Sequence, residues 1–229
     1  MQGVLIFSLC CRFLNFLLKV LTLSSFCDNI TSVIYQMFEE NEMPPKIKIT
    51  KDEIVSKTLD LVRKNGEEGL NARSVALALN CSTQPIFSNF SGLEELQKAV
   101  TNKAYDLYLS FLNNEVKTDK YPKYKAFGMA YIRFAREEKQ LFKLLFMCDR
   151  RGESFIPTVD FDTSVKLIME QNGLSEEKAK LFHLEIWTAV HGIATMLATN
   201  FLDFEWDFIS SMITDVYQGL KYRHVTENK

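Results

Sequence analysis

The sequence predicts an all-α protein, and three observations lead there. Gly and Pro are scarce, 9 and 5 of 229 residues, which argues against the many turns of an all-β fold. Apolar residues recur at helical spacing through most of residues 50–222. Helix-capping signals punctuate that stretch at regular intervals. No segment alternates convincingly as a strand, and no internal repeat or low-complexity run is present.

The elements follow in order. Thr50-Lys51-Asp52-Glu53 is a capping box, a Thr N-cap with Glu three residues on. Ile54, Val55, Leu59, Leu61 and Val62 continue that first helix, and Asn65-Gly66 ends it, Gly being the usual left-handed residue past a helix end. Asn71 caps a second helix, Ala72 to Leu79, with Val75, Ala76 and Leu79 inward. Asn80 tolerates the left-handed conformation a tight turn needs. Ser82 is expected to cap a third, very short helix through about Phe90, with Pro85 in its first turn, where a missing N–H costs little. Ser91 with Glu94 reads as a second capping box, opening a helix from Gly92 to about Leu112. Asn113 to Pro122 reads as a polar linker. Helices are expected at Lys123–Glu138, Gln140–Cys148, Asp162–Gln171, from Ser175 to about Phe201, and at Trp206–Tyr222. Asp149–Asp162 reads as loop with Pro157 as breaker.

Residues 1–42 differ from the rest. Gly3 to Cys27 is apolar, with only Arg12 and Lys19 charged, and it holds Cys10, Cys11 and Cys27. A membrane span needs roughly 20 apolar residues, but central charges oppose insertion. A secretory signal lacks its basic start and an A-x-A-like site here. The third reading is untranslated leader. Glu39 and Glu40 have purine-only codons, which suit a ribosome-binding sequence before a start at Met43. The expectation is a chain that begins at Met43, with residues 43–92 as one domain (motif about 71–90) and 93–229 as another.

The whole chain is 47% hydrophobic and 24% charged with net charge −2, as in soluble globular proteins, so no basic tail coats nucleic acid. Charge is nonetheless uneven: residues 43–90 carry net +2 and residues 161–215 net −6. The five Cys make no disulfide framework; Cys81 and Cys148 read as small buried residues. G-x-S-x-G, H-E-x-x-H, the P-loop, the dinucleotide Gly turn and CxxC are absent from the sequence, so no catalytic residue, cofactor or metal is expected.

Two short helices around the small Ala76 and the Asn80-Cys81 turn have the proportions of a helix-turn-helix. The helix after such a turn protrudes and enters a major groove. Its polar side presents Ser82, Thr83, Gln84, Ser88 and Asn89, with Ile86, Phe87 and Phe90 expected inward. Gln and Asn pair bidentately with adenine, and Ser or Thr with several bases. Lys46 and Lys48, with Lys51 and Lys57, suit phosphates. The candidate DNA contacts are Lys46, Lys48, Thr50, Arg73, Ser82, Thr83, Gln84, Pro85, Ser88 and Asn89. A plain helical hairpin with a solvated face is the alternative.

The run "LNARSVALALNCSTQPIFSNFSGLEEL" places Ala76, the turn, Ser82, Phe87, Phe90 and Glu94-Glu95-Leu96 at a recognisable spacing. Residues 50–96 resemble the N-terminal domain of the TetR/AcrR transcriptional regulators. Trp187 with His191-Gly192 is similar to the W-x-x-x-H-G signature of one C-terminal subgroup. Three departures stand out: Asn80 where the turn usually has Gly, Leu93 where Lys is common, and Thr83-Gln84-Pro85 in place of a Lys-Gly-Thr-like sequence. The resemblance implies a cytoplasmic homodimeric repressor that binds double-stranded operator DNA, an inverted repeat, and is released by a small apolar effector.

The C-terminal half should then hold the pocket and the dimer interface, the last two helices pairing with their mates as a four-helix bundle. Phe127, Tyr131, Phe134, Phe142, Phe146, Trp187 and His191 are the candidate pocket residues, though aromatics at helical spacing also serve as plain core. His183, Trp187 and His191 share one helix face. Two rival functions remain from the sequence: a membrane-associated helical protein with a genuine N-terminal anchor, and a small-molecule carrier or enzyme on the same bundle.

Overall fold

The computed structural model describes residues 49–148 and 161–226. Lys46, Lys48, residues 1–42 and most of the 149–162 loop lie outside the described residues. Those described belong to one compact unit beginning at Ile49. It is helical throughout: α1 (Lys51–Asn65), α2 (Ala72–Ala78), α3 (Gln84–Asn89), α4 (Leu93–Lys117), α5 (Lys123–Glu137), α6 (Lys139–Phe146), α7 (Phe161–Asn172), α8 (Glu176–Ala198) and α9 (Trp206–Lys221).

Local chemistry sets the first three helices. The Thr50–Glu53 box closes in both directions: Glu53 N donates to Thr50 Oγ1, and Thr50 N donates to Glu53 Oε2 at 2.8 Å. Gly66 ends α1 at φ +65°, and a 3₁₀ turn, Gly66–Gly69, follows. Gly69 is required there, because a Cβ would lie 2.6 Å from the Leu61 backbone. Asn71 accepts from Ser74 N and caps α2. Asn80 adopts φ 51°, and Cys81 N donates back to Ala76 O at 3.0 Å. Val75, Ala76, Ile86 and Phe90 join Ile54, Leu59 and Val62 in the core.

Five expectations need correction. Ser82 does not cap α3; the N-cap is Thr83, itself near-helical (φ −72°, ψ −13°) and without a side-chain bond. Pro85 at the second helical position has no N–H to cap, so little is lost. Phe87 is 52% exposed: Ile86 takes the inner face of this six-residue helix, and Phe90, its extended C-cap, turns into the core beside it. Ser91 is answered by Glu95 rather than Glu94, with Ser91 N and Oγ both donating to Glu95 Oε2. α4 continues to Lys117, so half of the expected linker is helix, because Glu115 is buried and accepts from Arg133 Nε at 2.9 Å. Cys148 is exposed, while Cys81 is half-buried.

α5 is the hub of the larger part, packed against α4, α6 and α8. Tyr108 of α4 is buried in a ring cluster with Tyr131, Phe134 and Phe146 at centroid distances of 5.2–5.9 Å, edge-on geometries that aromatic quadrupoles favour. α8 is long and apolar enough to cross a membrane by length and mean hydropathy (1.2). Here Phe182, His183, Ile186, Val190 and Ala194 are buried within the fold. A π-helical turn, Tyr222–Thr226, follows α9, and its buried His224 holds Glu185 of α8 at 2.7 Å.

Candidate functional site: an exposed polar helix and an aromatic cavity

The α2–turn–α3 unit presents a polar rim. Arg73, Ser82, Gln84 and Ser88 are exposed, and Thr83, Pro85 and Asn89 are half-buried. Not all are equally available. Ser88 Oγ donates to Gln84 O, and Asn89 Nδ2 donates to Pro85 O at 2.8 Å and to Ile49 O at 3.4 Å. Asn89 therefore fastens the end of α3 to the segment entering α1. The Thr50 hydroxyl is engaged with Glu53. Lys51, on the same side, is held by Glu95 at 2.6 Å and lies over the Phe90 ring. The Glu95 carboxyl is lowered to about 2, chiefly by the Lys51 bond and then by Ser91.

The second feature is a cavity of about 370 Å³ enclosed by α4, α5, α7, α8 and α9, at the small end of the ~300–1,000 Å³ usual for small-molecule sites. Phe127, Tyr131 and Trp187 line it, beside Tyr108, Tyr124, Ile186, Val190 and Tyr217. Phe134 and Phe142 are fully buried in the ring cluster instead. Phe146 packs 4.9 Å from Tyr131, behind the wall. His191 also stands one layer back: it stacks on Trp187 at 4.9 Å and 12°, and its Nδ1 meets the Tyr131 hydroxyl at 2.9 Å. Burial pushes the His191 imidazole below its ordinary value, so it is neutral near pH 7.

Several cavity groups escape the sequence argument. Tyr124 Oη and His183 Nδ1 are 2.9 Å apart and buried. Lys125 Nζ donates to Thr214 Oγ1 at 2.7 Å. Ser164 Oγ is fully buried with no hydrogen-bond partner among the described residues. The one available signal was on α5, where Tyr124, Phe127, Gly128 and Tyr131 share a face that Lys125 flanks. A Cβ at Gly128 would meet Val190 Cγ2 of α8 at 3.4 Å, close to ordinary packing distance. The partners on α7 and α9 come from residues 40–90 positions away, beyond any local pattern.

Comparison with curated proteins finds no match. Residues 124–211, from the start of the α5 face through α7 and α8 into α9, match the family described as the tetracyclin repressor-like, C-terminal domain. That segment supplies most of the cavity wall, so the cavity lies in the part of the chain that is similar to the tetracyclin repressor-like C-terminal domain.

Proposed function

We propose that the protein is a cytoplasmic homodimeric repressor, with residues 43–92 as its DNA-binding part and 93–229 as its effector-binding part. It binds an inverted repeat through α3 and releases it when a small molecule fills the cavity. The observation that carries this reading is α4. One uninterrupted helix of 25 residues, about 37 Å long at 1.5 Å per residue, has Leu96, Val100 and Ala104 buried in the core and Tyr108 in the cavity wall. Glu95 at its start is bonded to Lys51 of α1. A ligand against Tyr108 thus presses on the rod that seats the helix-turn-helix. Release requires that the ligand bind the DNA-competent and splayed arrangements with different affinity.

Dimerisation is supported by large apolar side chains left exposed on the last two helices and their connection: Leu181, Leu184, Phe201, Leu202 and Phe208. Apolar patches of this kind mark interfaces, and paired α8 and α9 would bury them in a four-helix bundle.

The test is selection of bound sequences from random duplex DNA by the purified protein, with sedimentation of the complex. The expected result is a dyad whose half-sites lie one helical turn apart, roughly 34 Å, bound by two protomers. Binding with no sequence preference over competitor DNA would overturn the reading.

A further inference from the structure

We infer that the cavity takes a small organic anion, an amphipathic carboxylate whose charged end meets Lys125 and whose apolar body fills the aromatic chamber. This rests on the cavity being the effector site and names the ligand class.

Lys125 is half-buried in the cavity wall. Its ammonium is held by neutral groups, the Thr214 hydroxyl at 2.7 Å and the Tyr121 ring at 5.1 Å. No Asp or Glu lines the cavity among the described residues. The arginines of the same bundle are treated differently. Arg133 is paired with Glu115, Arg136 with Asp203, and Arg63 with Glu138. Placing an ammonium out of bulk water without a counter-charge is unfavourable, and a ligand carboxylate supplies that charge.

The second observation is Ser164. Its hydroxyl is fully buried, faces the same cavity and has no partner among the described residues. Buried polar groups are almost always satisfied, so an unpaired hydroxyl in a chamber of about 370 Å³ marks a place for an outside donor or acceptor. Lys125 and Ser164 lie on different helices, α5 and α7, and with Gln171, Thr214 and Gln218 they set polar points in a mostly apolar wall, the pattern that orients a small ligand.

The rest of the lining narrows the class. Tyr124, Trp187 and Tyr217 could form a cage for an organic cation, but Lys125 would repel it. A phosphate monoester is doubly charged and calls for more than one cationic donor; Lys125 is the single Lys or Arg among the described lining residues, which suits a monoanion.

The test uses the purified full chain and three probes of one skeleton: 4-phenylbutyrate, 4-phenylbutyramide and 4-phenylbutylamine. Binding is followed by tryptophan fluorescence, since Trp187 lines the cavity, and by thermal melting. The carboxylate should bind at least tenfold more tightly than the amide, and the amine more weakly still. Lys125→Met should bring the carboxylate down to the amide's level and leave the amide unchanged, whereas Lys125→Arg should keep the preference. Equal binding of carboxylate and amide, tighter binding of the amine, or no binding of any probe at millimolar concentration overturns the proposal. The comparison on the parent chain decides even if Lys125→Met fails to fold. Operator binding is read in parallel. Lys125-dependent carboxylate binding that leaves DNA bound would sink the repressor reading and keep the ligand class. Release of DNA by the amide alone would do the reverse.

Discussion

Arg63, near the end of α1, holds Glu138 at the junction of α5 and α6 with two parallel bonds, Nε to Oε2 at 2.9 Å and a terminal nitrogen to Oε1 at 2.6 Å. The residues are 75 positions apart, so this pair ties α1 to the junction of α5 and α6. The Glu138 side chain is only 17% exposed, and the fork-to-fork geometry is the stronger kind of ion pair. A double-mutant cycle with Arg63→Met and Glu138→Gln, read by urea unfolding, should give a coupling of about 1 kcal/mol, the upper end for partly exposed pairs. A coupling indistinguishable from zero would make the contact incidental.

Readout and scaffolding should separate within α3. Gln84 is exposed with its side-chain amide uncommitted among the described residues, whereas the Asn89 amide bonds to Pro85 O and Ile49 O. Gln84→Ala is expected to leave the melting temperature unchanged and to lose about 1–3 kcal/mol of discrimination at one base position. Asn89→Ala should instead lower stability by about 1 kcal/mol, the usual worth of such a bond. Competition binding with single-base operator variants, beside thermal melts, distinguishes them; reversed effects would mean that α3 meets DNA by its other side.

The sequence was informative where a few adjacent residues decide the outcome. The Thr50–Glu53 box, the Asn71 cap and the left-handed Asn80 are local chemistry, and each is found where the residues placed it. It misled where a distant partner decides. Glu115 looked like linker because its partner Arg133 is on the next helix. Glu94 looked like the mate of Ser91 by spacing, but Lys51 across the fold helps hold Glu95 there. Phe87 looked inward by hydrophobicity alone, while Ile86 takes the inner face of the six-residue helix and Phe90, its C-cap, turns into the core beside it. In the cavity, the aromatic face of α5 could be read from its own spacing. Ser164 and Thr214 could not, because nothing in a local window says which helices α5 will meet.

Acid should loosen the junction of α1 and α4 through Glu95. Its carboxyl is lowered to about 2 from 4.5, first by the Lys51 bond and then by the Ser91 backbone and hydroxyl. A lowered folded value means that the unfolded chain takes up the proton first. The stabilisation is therefore complete above about pH 4.5 and is lost as pH falls toward 2. Glu95→Gln should be less stable than the parent at pH 7 and should lose less stability between those limits. Parallel pH curves for the two proteins would remove Glu95 from the account.

A second titration belongs to His191, and it falls nearer neutrality. Burial lowers its folded value below 6.5, so the unfolded chain again protonates first and stability declines as pH drops below about 6.5. Because His191 stacks on Trp187 and bonds the Tyr131 hydroxyl, protonation would also force a charge behind the cavity wall. His191→Gln should flatten the stability curve in that interval. Urea midpoints at half-unit steps from pH 7.5 to 5 would show it, and an unchanged slope would count against a buried neutral imidazole.

Trp187 is where occupancy of the cavity should be converted into a change of packing. Its indole lines the chamber and is backed by His191. His191 reaches Tyr131, whose ring lies 5.2 Å from Phe142 and 4.9 Å from Phe146 on α6. α6 begins beside Glu138, the residue that Arg63 of α1 holds. A ligand that displaces the indole therefore disturbs a continuous stack ending at α1, in addition to pressing on Tyr108 of α4. Trp187→Ala removes the first contact and leaves a void that the neighbouring rings fill only in part, costing about 3 kcal/mol or more if the site were core alone. Its exposure is intermediate, so the stability loss should be smaller than that. The expected result is that operator affinity without ligand falls less than threefold, while the ligand-induced loss of affinity shrinks at least tenfold. Linkage then requires operator DNA to weaken ligand binding less in the variant than in the parent, by the same factor. Both sides of that equality are measurable by titrating DNA with and without ligand and ligand with and without DNA. An equal fall in both affinities, with a drop of more than about 10 °C in melting temperature, would place Trp187 in the core and leave α4 as the route of coupling.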